Sequence, residues 1–303
     1  MFRNVLLMTG LVVLMACEKP LGIDLPYSGD KLVLFGVLSP RKIVSLQLSK
    51  TVPATGKHVF GDGVTHATVA LYEDGTFVEN LIHTSKGIYV SPTNYKPEIH
   101  KKYHVRVVAE GFPSVETSPE TIPDTLNSIQ YQFDKTITSA LDEDLPTRWL
   151  SLTFKDVNGG TGFYNLGVSG LYRKKEVSIQ TFDIDRPEGI EDLCVSRGNY
   201  NNYFVRNVCF QYTSFTMNIG VGTTGFLQAD DPDNPATTNE RKCDEILVTL
   251  RHISPTYYQY QKSYYEPEGL LQAFSPPMIR YSNVKGGYGI VMAASEQVIR
   301  LKP

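Results

Sequence analysis

The sequence predicts a mainly β protein built as two sandwich-like domains, and three observations carry that prediction. Short apolar runs recur, several alternating with period two, and turn signals separate most of them. Tyrosine and phenylalanine, 18 and 14 residues, far outnumber the single tryptophan, while 24 glycines and 18 prolines punctuate the chain. Only one segment repeats its ring-bearing residues at helical spacing.

The strands follow in order. Leu32 to Leu38, the turn Ser39-Pro40-Arg41, and Ile43 to Ser49 read as a hairpin. Ala67 to Tyr72 leads into Glu73-Asp74-Gly75, and Thr76-Phe77-Val78 resumes beyond it as a second hairpin. Gly87 to Val90 is a short strand. Tyr103 to Ala109 starts with a tyrosine, alternates its valines, and stops at Glu110-Gly111-Phe112-Pro113. A tyrosine at such a corner marks the penultimate strand of immunoglobulin-like and fibronectin-like sandwiches, where its hydroxyl bonds back to the chain. Residues 31–124 are therefore predicted to form an immunoglobulin-like sandwich, with Ser118 to Asp124 as a linker because its prolines deny ladder donors.

Residues 125–303 are predicted to be a second β-rich domain. Its strands are Ser128 to Phe133, Trp149 to Phe154, Tyr164 to Val168 and Ile246 to Leu250, with irregular, loop-rich sequence between about 171 and 240. One short helix is expected near 255–266, where Ser254 is placed to cap and Pro255 to occupy the first turn. Tyr257, Tyr258, Tyr260, Tyr264 and Tyr265 on this segment suit either a docking surface or a helix packed on the sandwich.

The N-terminus carries the strongest functional signal. Arg3, an apolar run from Val5 to Met15, and Leu14-Met15-Ala16-Cys17 followed by Glu18-Lys19 form a lipobox. The run is too short to span a ~30 Å hydrocarbon core. Residues 1–16 thus read as a lipoprotein signal peptide, and 17–30 as a lipidated tether. Acyl chains on Cys17 would stabilise membrane attachment by about 0.8 kcal/mol per buried methylene.

Composition narrows the function classes. A formal net charge of −3 and the lack of any basic block argue against a nucleic-acid partner. Beyond Cys17 lie Cys194, Cys209 and Cys243; Cys194 and Cys209 are the nearest pair and can close a disulfide across a hairpin, which leaves an odd thiol. With no Cys-x-x-Cys and six scattered histidines, no metal site is expected. Gly286-Gly287-Tyr288-Gly289 lacks the spacing and the following helix of a phosphate loop, so a tight turn is expected there. Asp142-Glu143-Asp144 and the run Asp230, Asp231, Asp233 read as solvated acidic loops. Neither Gly-x-Ser-x-Gly nor His-Glu-x-x-His occurs. The chain is therefore expected to be non-enzymatic, without catalytic residues or cofactor. A glycan hydrolase is the less favoured alternative, since paired carboxylates come from the fold and not from spacing.

These segments resemble the lipoprotein family catalogued as domain of unknown function 4249, of Bacteroidota-type outer membranes. The most specific match is Ser282-Asn283-Val284-Lys285-Gly286-Gly287-Tyr288-Gly289-Ile290; supporting ones are Ile23-Asp24-Leu25-Pro26, Leu32-Val33-Leu34-Phe35-Gly36, the Tyr103 strand with Gly111 and Thr121-Ile122-Pro123, and His252 to Tyr258. One departure is Val291-Met292, where relatives carry an aromatic residue and a glycine. The resemblance implies two strand-rich domains on an outer-membrane lipoprotein, often encoded beside TonB-dependent receptors, with no established reaction. Together with the lipobox and the absent catalytic motifs it leads to the expectation of a protein accessory to such a receptor in ligand capture or uptake, with an unknown ligand. A structural or adhesive envelope module is the alternative. Glu18 and Asp24 lie where an acidic surface-export signal would sit, although Lys19 and Pro20 interrupt it.

Overall fold

The computed structural model describes residues 27, 29–53, 63–126, 128–138, 146–155, 161–182, 194–197, 201–209, 214–228, 238–263 and 280–303. Cys17, both acidic loops, Tyr264 and Tyr265 lie outside them. The chain is mostly β. Its strands are β1 Leu32–Leu38, β2 Ser45–Lys50, β3 Ala67–Glu73, β4 Thr76–Ser85, β5 Ile88–Val90, β6 Lys102–Ala109, β7 Val115–Thr117 and β8 Glu120–Thr121. Then follow β9 Ile129–Thr138, β10 Pro146–Lys155, β11 Phe163–Tyr172, β12 Lys175–Phe182, β13 Val195–Arg197, β14 Asn202–Arg206, β15 Ser214–Gln228, β16 Thr238–Lys242 and β17 Glu245–Ile253. The helix α1, Pro255–Lys262, precedes β18 Val284–Lys285 and β19 Tyr288–Leu301.

Alternation dictates the first core. Leu32, Leu34 and Leu38 of β1, Leu46 and Leu48 of β2, and Tyr103, Val105 and Val107 of β6 all point inward and are buried. Each such side chain contributes about 1.5–3 kcal/mol of burial. One layer runs β19, β1, β2, β5, β4; the other runs β4, β3, β6, with β7 and β8 beyond and β18 on β7. β4 pairs with β3 through Leu81 and with β5 from Ile82, so it passes from one layer to the other. Asp74 and Gly75, at φ 46° and 82°, supply the positive dihedrals that the tight β3–β4 hairpin needs.

Tyr103 sits at the expected corner. Its phenolic oxygen accepts from the Glu98 backbone N–H at 2.8 Å and donates to Glu73 Oε2 at 2.6 Å, with Tyr95 donating to the same carboxylate. These two hydroxyls hold the Glu73 carboxyl below its usual range, and burial lifts the Tyr95 hydroxyl to about 12.

The second core fills the space between β9, β10, β15 with β12 and β16, and a facing sheet β13, β14, β11, β17, β19. β12 pairs with β11 and with β15, joining the two sheets. The stretch 171–240, expected to be irregular, holds β12 to β16 among its described residues. Propensity weakens the signal of β15 because it contains Asn218, Gly220, Gly222 and Gly225. Pairing with β10, β12 and β16 overrides that weak local preference.

Two features concern the predicted limits 31–124 and 125–303. Val33 to Leu38 pair in parallel with Tyr288 to Ala293, whereas Ala294 to Leu301 pair with β17, so one continuous strand serves both cores. Ser118 to Asp124 is not a free linker: Ser118 N–H bonds to Asn283 O, Ile122 N–H to Lys101 O, and Ile122 is wholly buried. Its two prolines remove the donors of residues 119 and 123, and neighbouring segments take up those of Ser118 and Ile122.

Candidate functional site

The Gly-Gly-x-Gly turn has a structural role. Gly286, at φ 81°, and Gly287 form the β18–β19 turn; Cβ atoms there would lie 2.7 Å from Ser114 O and 2.5 Å from Leu32 O. The turn thus presses directly on neighbouring backbone, where only glycine fits. Asn283, buried just before it, bonds Val291 through both its amide groups: Nδ2 donates to Val291 O at 2.8 Å, and Oδ1 accepts from Val291 N–H at 3.0 Å.

Asn283 Nδ2 also reaches Glu120 Oε1 at 3.3 Å, and Ser254 and Thr256 bond the same buried carboxyl. Burial pushes the Glu120 carboxyl above its ordinary range, and these hydrogen bonds oppose the shift without cancelling it. The folded protein therefore holds this proton more tightly than the unfolded chain. Its stabilising contribution is fully present below the ordinary value of 4.5 and is lost as pH rises through the folded value. Glu120→Gln is expected to raise the thermal midpoint at about pH 8 and to show no gain at about pH 4, read by circular-dichroism melts at the two pH values.

Helix α1 begins as predicted. Ser254 Oγ accepts from Tyr257 N–H at 3.2 Å and Pro255 holds the first turn. The helix closes at Lys262, short of the predicted 266. Tyr257 and Tyr258 pack inward on Phe163, Phe204, Ile253 and Ala294, and Tyr258 stacks on Phe163 with ring centroids 4.5 Å apart. Packing thus occupies these two rings. Tyr260 lies 6.3 Å from the partly exposed Phe35.

Cys194 is disulfide-bonded and Cys243 is a free, buried thiol. The side chain of Cys209 lies outside the described residues. Burial raises the Cys243 thiol, which makes it a poor nucleophile.

The residues that meet in a cleft are others. On the outer face of the β14, β11, β17 sheet, Gly167 aligns with Asn202 on one side and Thr249 on the other, and Asn165 aligns with Arg251. With Ser169, Glu176, Ser178 and Asn201, several of them line a cleft of about 320 Å³. Arg251 is held from two sides: Nη1 donates to Asn165 Oδ1 at 2.8 Å, and Nε to Glu296 Oε2 at 3.4 Å. Asn165 and Glu296 are buried, and Lys42 from the β1–β2 turn pairs with Glu296 at 3.0 Å. Ser169 Oγ donates to Glu176 Oε1 at 2.6 Å.

Sequence reading did not single out these residues. The available signal was the outward half of each alternation: Asn165, Gly167 and Ser169 on β11, with Thr249 and Arg251 on β17, form polar or small rows opposite apolar ones. A second cleft of about 590 Å³ lies beside α1, between Lys262, Arg280, Tyr281 and Tyr288. The first cleft contains one carboxylate, Glu176, and the second none, so neither offers the carboxyl pair of a glycosidase. Among the described residues no helix is long and apolar enough to cross a membrane, and no group of three or more His, Cys, Asp or Glu could hold a metal ion.

A family model matches most of the chain. The family described as "Domain of unknown function (DUF4249)" matches residues 18–300. No curated protein matches. Among solved structures, BcpA*(D312A), the major pilin subunit of Bacillus cereus, is similar at 11% identity and TM-score 0.22, over 91% of this chain and 70% of that one. The BSP domain of a biofilm-associated protein is similar at 6% identity and TM-score 0.21, over 95% of this chain and 62% of that one. At these scores neither likeness bears on shape or function.

Proposed function

The chain belongs to the DUF4249 family, and from that premise we propose that it is a lipid-anchored outer-membrane protein that captures a ligand for a TonB-dependent receptor. The observation that carries this reading is the lipobox ending at Cys17, which puts the folded body on a membrane. A preorganised polar cleft on a rigid sheet face supports a binding role, because its guanidinium is fixed before any ligand arrives. The protein works without catalytic residues of its own. On this reading Cys17 is acylated and Cys243 is free, so Cys209 is the remaining partner for Cys194.

The test is protease shaving of intact cells that express the tagged protein, then pull-down from solubilised membranes with mass spectrometry. The expected result is a membrane-bound, shaved protein that brings down a TonB-dependent receptor, while Cys17→Ser leaves the membrane fraction. Repeated recovery from the membrane with no receptor would overturn the accessory role and favour a structural or adhesive envelope module.

A further inference from the structure

We propose that the cleft above Gly167 binds a neutral, hydroxyl-rich ligand, a carbohydrate unit of about one or two rings. The proposal rests on the ligand-capture reading and names the chemical class of that ligand. Its size comes first: about 320 Å³ falls at the small end of the ~300–1,000 Å³ usual for small-molecule sites.

The lining sets the chemistry. Ser169, Ser178 and Thr249 contribute hydroxyls, Asn202 an amide, Glu176 a carboxylate and Arg251 a guanidinium, while the buried Asn201 amide is bonded to Thr181, Ser178 and the Ile179 backbone and forms part of the wall. Hydroxyls and amides both donate and accept, as do the hydroxyls of a sugar. The single cation and the single anion balance, so a ligand of net charge gains nothing from the local field. No aromatic ring lines the cleft, which assigns recognition to hydrogen bonds at the edge of the ligand and not to stacking on its face.

Two further observations separate this cleft from an ordinary polar surface. Asn165 is 1% exposed and Glu296 9%, yet both spend hydrogen bonds on orienting Arg251. Buried polar groups of this kind are often neutral or unfavourable for stability against apolar packing, so their use here points to a positioned donor. Arg251 Nη2 has no partner among the described residues, and neither does Glu176 Oε2, which leaves one fixed donor and one fixed acceptor for the ligand. The floor is the second observation. A Cβ on Gly167 would lie 3.2 Å from both Arg251 Nη1 and Asn202 Oδ1, so glycine keeps the space between them open.

Isothermal titration calorimetry on the detergent-solubilised full chain tests this, with glucose, galactose, mannose, maltose and lactose as neutral probes, and glucuronate and glycine as charged ones. At least one neutral sugar is expected to bind, and Thr249→Phe, which fills the cleft from its outer wall, to weaken it about tenfold or more. Glu176→Ala, at the exposed rim, is expected to weaken it in the same direction with unchanged folding by circular dichroism. Preference for glucuronate or glycine, no binding by any neutral probe, or full binding by both variants would overturn the proposal. Receptor pull-down is independent of these titrations: a failed titration with a recovered receptor rejects the carbohydrate class alone, and a bound sugar without a receptor rejects the accessory role alone.

Discussion

Gly289→Ala is expected to lose about 3 kcal/mol of stability or more. Gly289 has φ 103°, and a Cβ there would fall on the Leu34 carbonyl oxygen, with Leu34 N and C also 2.8 Å away. All three are backbone atoms of β1. The strand can yield only by opening its parallel pairing with β19, which joins the first and last strands of the described fold. Gly75→Ala isolates the dihedral contribution: φ is 82° but nothing lies within 4 Å, so about 1 kcal/mol is expected. Urea denaturation of both variants checks the contrast, and equal losses would show that the clash at Leu34 carries no weight.

Asn283→Ala is expected to cost about 3 kcal/mol. Its side chain satisfies both the N–H and the C=O of Val291, a residue with no exposed surface, so water cannot take its place. Asn283→Asp is expected to cost more. The new carboxylate still accepts from Val291 N–H, but it turns a negative oxygen toward Val291 O and Glu120 where a donor stood. That additional loss should shrink in acid, where either carboxyl takes up a proton and restores a donor. Denaturant midpoints at about pH 4 and pH 8 measure both effects; a midpoint for the aspartate variant that does not move with pH would count against the arrangement around Glu120.

These two positions show why the C-terminal motif is built as it is. Ser282 to Ile290 is the part of the chain most specific to the family resemblance, and its glycines and asparagine serve contact with backbone. Gly286, Gly287 and Gly289 meet Ser114, Leu32 and Leu34, which lie more than 160 residues earlier in the chain. A turn could be read from the three glycines, but the neighbours that demand them could not.

The same division runs through the rest of the molecule. β1, β3, β6, β10 and β17 were legible because each is a short run rich in aliphatic, β-branched or aromatic residues, with clear alternation in β6 and β10. Helix α1 was legible from Ser254 and Pro255, since capping is a property of three or four adjacent residues. β15 was not, because three glycines and Asn218 weaken its local preference, and pairing with three partners overrides that. Nor was the cleft: Asn165, Gly167, Glu176, Asn202, Thr249 and Arg251 are unremarkable one by one and come from four strands.

The sequence by itself therefore determined the β class, the positions of most strands, the helix start, the Gly-Gly turn and the expectation of a lipidated Cys17. Those follow from local rules: side-chain alternation, dihedral preference and short motifs. Tertiary structure decided that one strand, Tyr288–Leu301, completes both cores, that Ser118 to Asp124 is pinned between them, and that Arg251 is fixed above Gly167. These depend on which distant segments pair and in what register, and register is set by burial and backbone hydrogen bonding across the whole fold.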